Sequence, residues 1–253
     1  MPVLELLGLS SETVMISSNG TVTRTFSGRR IDSWLLPVAT ARALCHELRR
    51  FGGTTVFTFD YDGPGELVVE SLEALERTVD QWVEQNRPYI REVRPLELAF
   101  DQEHLPVQGM VCGTVNQMRE AEERLNITDF AGLIETHRTE YPARDLGILD
   151  ILPPGCSKGS AIARLAASLG IRRDEVMAIG DNYNDVEMLN YAGQPVLMGN
   201  APEELRTMAK NCGWSITATN DQDGVALSIV GALQRNEMWN AQELVASVTE
   251  SPR

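Results

Sequence analysis

From Leu146 to Leu233 the chain alternates short apolar runs with helical stripes, a rhythm that leaves few folds open. Leu146 to Leu152 is an apolar run ended by Pro153-Pro154-Gly155, after which Ile162, Leu165, Ala166 and Leu169 recur at helical spacing until Gly170. The pattern repeats with a strand over Val176 to Ile179 and a helix over Val186 to Ala192, then a strand over Val196 to Met198 and a helix over Pro202 to Ala209. A short strand near Ile216 and a helix over Val225 to Leu233 come last. Such alternation predicts a parallel sheet covered by helices, with ligands bound beyond the carboxyl ends of its strands.

One of those strand ends concentrates the chemistry. Gly180-Asp181-Asn182-Tyr183-Asn184-Asp185 comes directly after the Val176 to Ile179 run and opens a helix. Magnesium prefers hard oxygen ligands, keeps several waters and is usually held by one or two carboxylates together with a substrate phosphate. Two aspartates aimed from a strand end into a crevice meet that need. Turnover at such a site also requires a positioned nucleophile.

The middle of the chain has another texture. A helix over Pro37 to Phe51, a strand over Thr54 to Tyr61, the turn Asp62-Gly63-Pro64-Gly65 and the run Leu67-Val68-Val69 read as a helix and then a hairpin. A stripe of Leu72, Leu75, Val79, Trp82 and Val83, a strand near Met110-Val111-Cys112, a helix with Val115, Met118 and Leu125, and a strand at Leu133-Ile134 come next. Elements of both kinds inserted into a parallel-sheet domain predict an α+β cap. Its expected span is 25–144, between an N-terminal piece of the core at 1–24 and the C-terminal half of the core at 145–253.

Charge and cysteine usage exclude several functions. The sequence carries 22 basic and 36 acidic residues for a net charge of −14, which repels a polyanion, and no basic run is interleaved with aromatics. Nucleic acid is therefore not an expected partner. Cys45, Cys112, Cys156 and Cys212 are scattered, with no C-x-x-C pair for zinc or redox work. His46, His104 and His137 are equally dispersed, and Trp34, Trp82, Trp214 and Trp239 read as packing residues. No stretch reaches membrane-spanning length and Met1-Pro2-Val3-Leu4-Glu5 lacks a signal-peptide start, so a cytoplasmic protein is expected.

Taken together, Ile16-Ser17-Ser18-Asn19-Gly20, Pro154-Gly155-Cys156-Ser157-Lys158-Gly159, Gly180 to Asp185 with Ala192-Gly193, Met198-Gly199-Asn200-Ala201 and Asn220-Asp221-Gln222-Asp223-Gly224 resemble, in order and spacing, the Cof-type branch of the haloacid dehalogenase (HAD) superfamily. The resemblance covers essentially the whole chain. It implies an α/β fold, a Rossmann-like parallel-sheet core with an inserted α+β cap, and a Mg2+-dependent phosphatase acting on sugar phosphates and related small phosphorylated metabolites. On that pattern Asp181 binds Mg2+, Asp185 holds the metal or its water, Asn184 contacts substrate or phosphate, and Lys158 bridges phosphate and nucleophile. Lys158, at a predicted helix start, would also have backbone N–H groups pointing at an anion. Asn19-Gly20, between Val14-Met15-Ile16 and Val22, is a two-residue hairpin signal in its own right. Ser18 and Asn19 are thus candidates both for a structural turn and for substrate contact.

The chain departs from that pattern at its start. Members of this branch begin with a strand ending in Asp-x-Asp-Gly, whose first aspartate is the nucleophile. Ile16 to Gly20 lies after the place where it belongs, so the resemblance implies that the first core strands are missing here and that the natural product is longer. The alternatives are a truncated protein that binds Mg2+ and phosphorylated small molecules without hydrolysing them, or a substitute nucleophile at Asp60. A core lacking a strand would expose apolar edges and favour self-association. Residues 1–9 read as a helix and loop interior to the fold. Phe57-Thr58-Phe59-Asp60-Tyr61-Asp62-Gly63 fits the nucleophile motif locally, but its place in the order and the run after it predict a hairpin turn.

Overall fold

The computed structural model describes residues 8–235. The helix and loop expected over residues 1–9 lie outside it except for Gly8 and Leu9, as does Trp239. The described strands form three sheets. Val14–Ser17 (β1), Val22–Thr25 (β2) and Arg30–Ser33 (β3) make an antiparallel meander. Thr55–Thr58 (β4), Leu67–Val69 (β5), Ile90–Glu92 (β6), Gln108–Gly113 (β7), Glu135–Tyr141 (β8) and Leu146–Leu152 (β9) make a six-stranded sheet in the order β6-β5-β4-β7-β9-β8. Its pairs are antiparallel except β5 with β6. Met177–Gly180 (β10), Gln194–Leu197 (β11) and Ser215–Ile216 (β12) make the parallel sheet.

Helices Val38–Leu48 (α1), Leu72–Asn86 (α2) and Val115–Ile127 (α3) serve the six-stranded sheet. Because side chains alternate across a strand, Phe57 of β4 and Leu149 and Ile151 of β9 pack with Leu44 and Leu48 of α1 and Met118 and Leu125 of α3. Val56, Val69 and Cys112 pack on the other side with Leu75, Val79 and Val83 of α2. Each fully buried large side chain contributes about 1.5–3 kcal/mol relative to exposure. Burial on both faces therefore holds the sheet.

Lys158–Leu169 (α4), Val186–Tyr191 (α5), Glu203–Cys212 (α6) and Gly224–Arg235 (α7) belong to the C-terminal part. Leu189, Leu197, Leu205, Ala209 and Trp214 form its core cluster. Ser157 caps α4 by accepting from the Ser160 N–H at 3.0 Å, and Gly170, at φ +67°, ends it.

Three expectations are corrected. Leu146–Leu152 pairs with β7 and β8, so it belongs to the six-stranded sheet rather than beginning the parallel one. The tight return Pro142–Asp145, with Asp145 at φ +46°, makes β8 and β9 an antiparallel hairpin. The strand expected at Leu133-Ile134 is only a bridge between Ala131 and Ile134; the strand runs over Glu135–Tyr141. Finally, the turn at Asn19 is wider than two residues. Ser17 pairs with Val22, and Ser18 and Asn19 both lie at positive φ, +49° and +54°. Among the described residues no helix is long and apolar enough to cross a membrane.

Candidate active site

Lys158 opens α4, and its ammonium donates to Asp185 Oδ1 at 2.5 Å. The other oxygen of Asp185 accepts from the backbone N–H groups of Asp181, at 2.9 Å, and Asn182, at 3.2 Å. Asp185 is only 5% exposed, and this set of a cation and two amides makes its burial tolerable. The carboxylate can fold back over the strand end because residue 180 is glycine. A Cβ there would sit 2.4 Å from the Cβ of Asp185.

Asp181 is half-buried and accepts from the Asn200 side chain through Oδ2 at 3.0 Å; its Oδ1 takes no hydrogen bond from the described residues. Asn200 in turn accepts from the Asn220 N–H at 3.0 Å, which draws the Met198-Gly199-Asn200-Ala201 and Asn220 to Gly224 segments to the same place. No group of three or more His, Cys, Asp or Glu gathers as a metal site among the described residues. One accessible carboxylate oxygen on Asp181 beside the fixed Asp185 does fit magnesium, which takes one or two carboxylates and completes its shell with water and phosphate.

The hairpin loop after β1 packs directly on the Lys158 segment. Gly20 is the reason, since a Cβ there would lie 2.3 Å from the Ser157 carbonyl oxygen. Next to it, Asn19 accepts from the Asn184 amide at 3.3 Å and donates to Gln108 Oε1 at 3.5 Å. Asn19 and Asn184, both marked in the sequence, are thus brought together. Ser18 lines a cavity of about 440 Å³ with Arg24 and Asp60 instead.

Sequence reasoning missed Asp150. It lies on β9, 5% exposed, with Met110 and His137 as its cross-strand partners. Burial pushes its carboxyl up to about 7, against the influence of the Asn19 amide and the charge of Lys158, which favour the ionised form. It was hidden inside an apolar run that reads as pure core.

A second missed group fixes the Asp181–Asp185 loop to β8. The Asn182 side chain donates to the Glu140 carbonyl at 3.0 Å and accepts from the Glu140 N–H at 3.0 Å, prolonging the sheet's hydrogen bonding onto the loop. The Glu140 side chain is clamped by Arg119 at 2.8 and 2.7 Å and by Arg138 at 2.6 Å. Burial alone would raise its carboxyl, but these guanidinium groups hold it below the usual carboxylate range. The residues involved are 42 apart in the sequence, so no local pattern announces them.

Asp60 is located in the turn between β4 and β5, as the hairpin reading expected. Its side chain is 6% exposed and pairs with Arg24 and, at 2.6 Å, with Arg30. Both oxygens are engaged by guanidinium groups.

A family model described as haloacid dehalogenase-like hydrolase matches residues 1–229. A putative phosphatase of Haemophilus influenzae is 43% identical over 79 residues, 31% of this chain and 29% of that protein. The 5-amino-6-(5-phospho-D-ribitylamino)uracil phosphatase YwtE of Bacillus subtilis is 28% identical over 180 residues, 67% of this chain and 58% of that protein. The chain thus spans under two thirds of the length of these curated relatives. A solved haloacid dehalogenase-like hydrolase from Bacteroides thetaiotaomicron superposes with a TM-score of 0.66 at 28% identity, over 87% of this chain and 76% of that one. With a family match across nine-tenths of the sequence and the same fold in a solved relative, the chain belongs to the haloacid dehalogenase-like hydrolases, in their Cof-type branch.

Proposed function

We propose that this chain carries the Mg2+- and phosphate-binding groups of a cytoplasmic phosphatase that hydrolyses small phosphoesters, such as sugar phosphates, through an aspartyl-phosphate. The observation that carries the reading is the convergence of Lys158, Asp181 and Asp185 where β10 ends and α4 begins. Phosphoryl transfer depends on positioning and on neutralising the equatorial oxygens. Mg2+ bound by Asp181 and Asp185 would supply part of that neutralisation. Lys158 would supply the rest, with the N-terminal amides of α4 behind it. Asp185 orients Lys158, and the amide groups of Asn184 and Asn19 offer donors to phosphate or substrate oxygens. The relatives named as phosphatases support the same activity.

Asp60 favours a second reading. Its engagement by Arg24 and Arg30 speaks against a nucleophile's role for it and favours binding of Mg2+ and phosphorylated metabolites by the described residues without turnover. Calorimetric titration with inorganic phosphate, with and without Mg2+, tests what the two readings share. Phosphate should bind better with the metal, and Lys158→Gln should weaken binding at least about tenfold. Equal binding by the variant would remove the site from both readings. Phosphate release from p-nitrophenyl phosphate then separates them.

A further inference from the structure

Strand β7 meets the candidate active site at Gln108, which accepts from Asn19, and ends five residues later at Gly113, about 17 Å away along the strand. Two adjoining cavities open at that far end of the six-stranded sheet, of about 330 and about 390 Å³. They share Arg77, Thr78, Gly113 and Gln117, so they form one groove. Arg50 stands in the first and Arg144 in the second. Each cavity falls within the about 300–1,000 Å³ of a small-molecule site.

The charge of this groove runs against that of the chain. With 36 acidic and 22 basic residues, the surface as a whole repels anions. Three separate stretches nevertheless bring Arg50, Arg77 and Arg144 to the groove, where the first cavity has no carboxylate in its lining and the second has only Asp145. Asp145 is occupied, since its Oδ1 accepts from the Val115 N–H at 3.2 Å.

The arginines are open to a further partner. Among the described residues Arg144 pairs with no carboxylate, in contrast to Arg119 and Arg138, which close on Glu140. Arg77 pairs with Glu73 at 2.7 Å and Arg50 with Glu120 at 3.3 Å, but those two glutamate side chains are 82% and 68% exposed. Exposed pairs of this kind are weak and give way to a better-placed anion. Glu47 lies 3.8 Å from Arg50 and closes on Arg124 instead. The end of α3 is not the source of the attraction, because its Val115 and Gln117 amides are already taken by Asp145 and Thr114.

Guanidinium groups present planar, paired donors that match carboxylate and phosphate oxygens. Three of them spread over two joined cavities call for an occupant with more than one anionic group. A cleft lined by one sign of charge also focuses the potential within it.

We propose that this groove is a second binding site, separate from the Lys158 and Asp181 site, for a small polyanion carrying two or more phosphate or carboxylate groups. The test is calorimetric titration of the intact chain, without Mg2+, with tripolyphosphate and with tricarballylate. At least one should bind saturably at one site per chain, and which of them binds tells phosphate from carboxylate. Arg77→Ala and Arg144→Ala, both at exposed positions, should each weaken that binding at least about tenfold. Arg172→Ala removes the same charge from an exposed pair in the C-terminal part and should leave it unchanged, as should Lys158→Gln. Failure of both probes to bind, or binding that survives Arg77→Ala and Arg144→Ala, overturns the proposal. An equal loss with Arg172→Ala would mean unspecific attraction, and a loss with Lys158→Gln would move the anion to the candidate active site; either result also overturns it.

Discussion

Phe59-Asp60-Tyr61-Asp62-Gly63 and Ile179-Gly180-Asp181-Asn182 both place acidic residues where an apolar strand ends, yet they do opposite things with their charge. The first turn joins two antiparallel strands, and Asp60 meets Arg24 and Arg30. The second leads from a parallel strand into a 3-10 turn and a helix, where backbone amides remain unpaired within the strand ladder. Asp185 takes two of them and Lys158, and Asp181 is left with an oxygen to offer. Local composition does not separate the two. The element after the strand, a hairpin return or a helix N-terminus, decides whether a carboxylate is consumed or displayed.

The largest expected effects come from exchanging the two roles. Asp181→Asn should lower phosphate release, where the chain shows any, by about 100-fold or more and weaken Mg2+ binding, while moving stability by less than about 0.5 kcal/mol. Asp60→Asn should do the reverse. It leaves Arg24 without its partner at a site 6% exposed and should cost on the order of 2 kcal/mol, less than the about 3–5 of a fully buried pair because Arg30 is more than half exposed. Mg2+ and phosphate titrations should match the unmodified chain. Urea unfolding and Mg2+ calorimetry on both variants read the contrast, and a loss of Mg2+ binding on changing Asp60 would erase it.

The same contrast shows what a sequence displays and what it hides. Asp181 and Asp185 stood out at a strand end and Lys158 and Asn184 through the family resemblance, and short-range features surround them in the structure. Gly180 must be small for Asp185 to fold back, and Ser157 must cap the helix that carries Lys158. Strand β8 was not legible. Glu135-Thr136-His137-Arg138-Thr139-Glu140-Tyr141 has no apolar alternation, because it is an edge strand and Glu140 is buried through Arg119 and Arg138 rather than through apolar packing. Leu146–Leu152 was legible as a strand but not as a member of its sheet, since an apolar run does not say which neighbours it pairs with.

Asn182→Ala sharpens the comparison from the other side. The Asp60 turn is held by ion pairs, whereas the Asp181 turn is held to β8 by one amide that makes both a donor and an acceptor bond. Removing that amide strands a buried N–H and C=O of Glu140, at about 1–3 kcal/mol for an unsatisfied buried group. The net loss should be about 1–2 kcal/mol by urea unfolding, with Mg2+ affinity falling as the loop loosens. Unchanged affinity would mean that the loop keeps its shape without the sheet.

Asp150 shows a third way of handling a buried carboxylate. Asp60 is neutralised by arginine and Asp185 by Lys158 and amides, but burial keeps Asp150 protonated up to about pH 7, above its ordinary value of 3.8. The folded chain therefore holds a proton that the unfolded chain releases between those values. Since stability falls with rising pH wherever the native state binds more protons, the contribution of Asp150 is fully present below its ordinary value and is lost as pH rises towards about 7. Asp150→Asn cannot ionise, so the stability of the variant minus that of the unmodified chain should rise across that interval and then level off. Urea unfolding at several pH values measures that difference directly. A difference that stays flat across that interval would mean that burial does not hold the proton on Asp150.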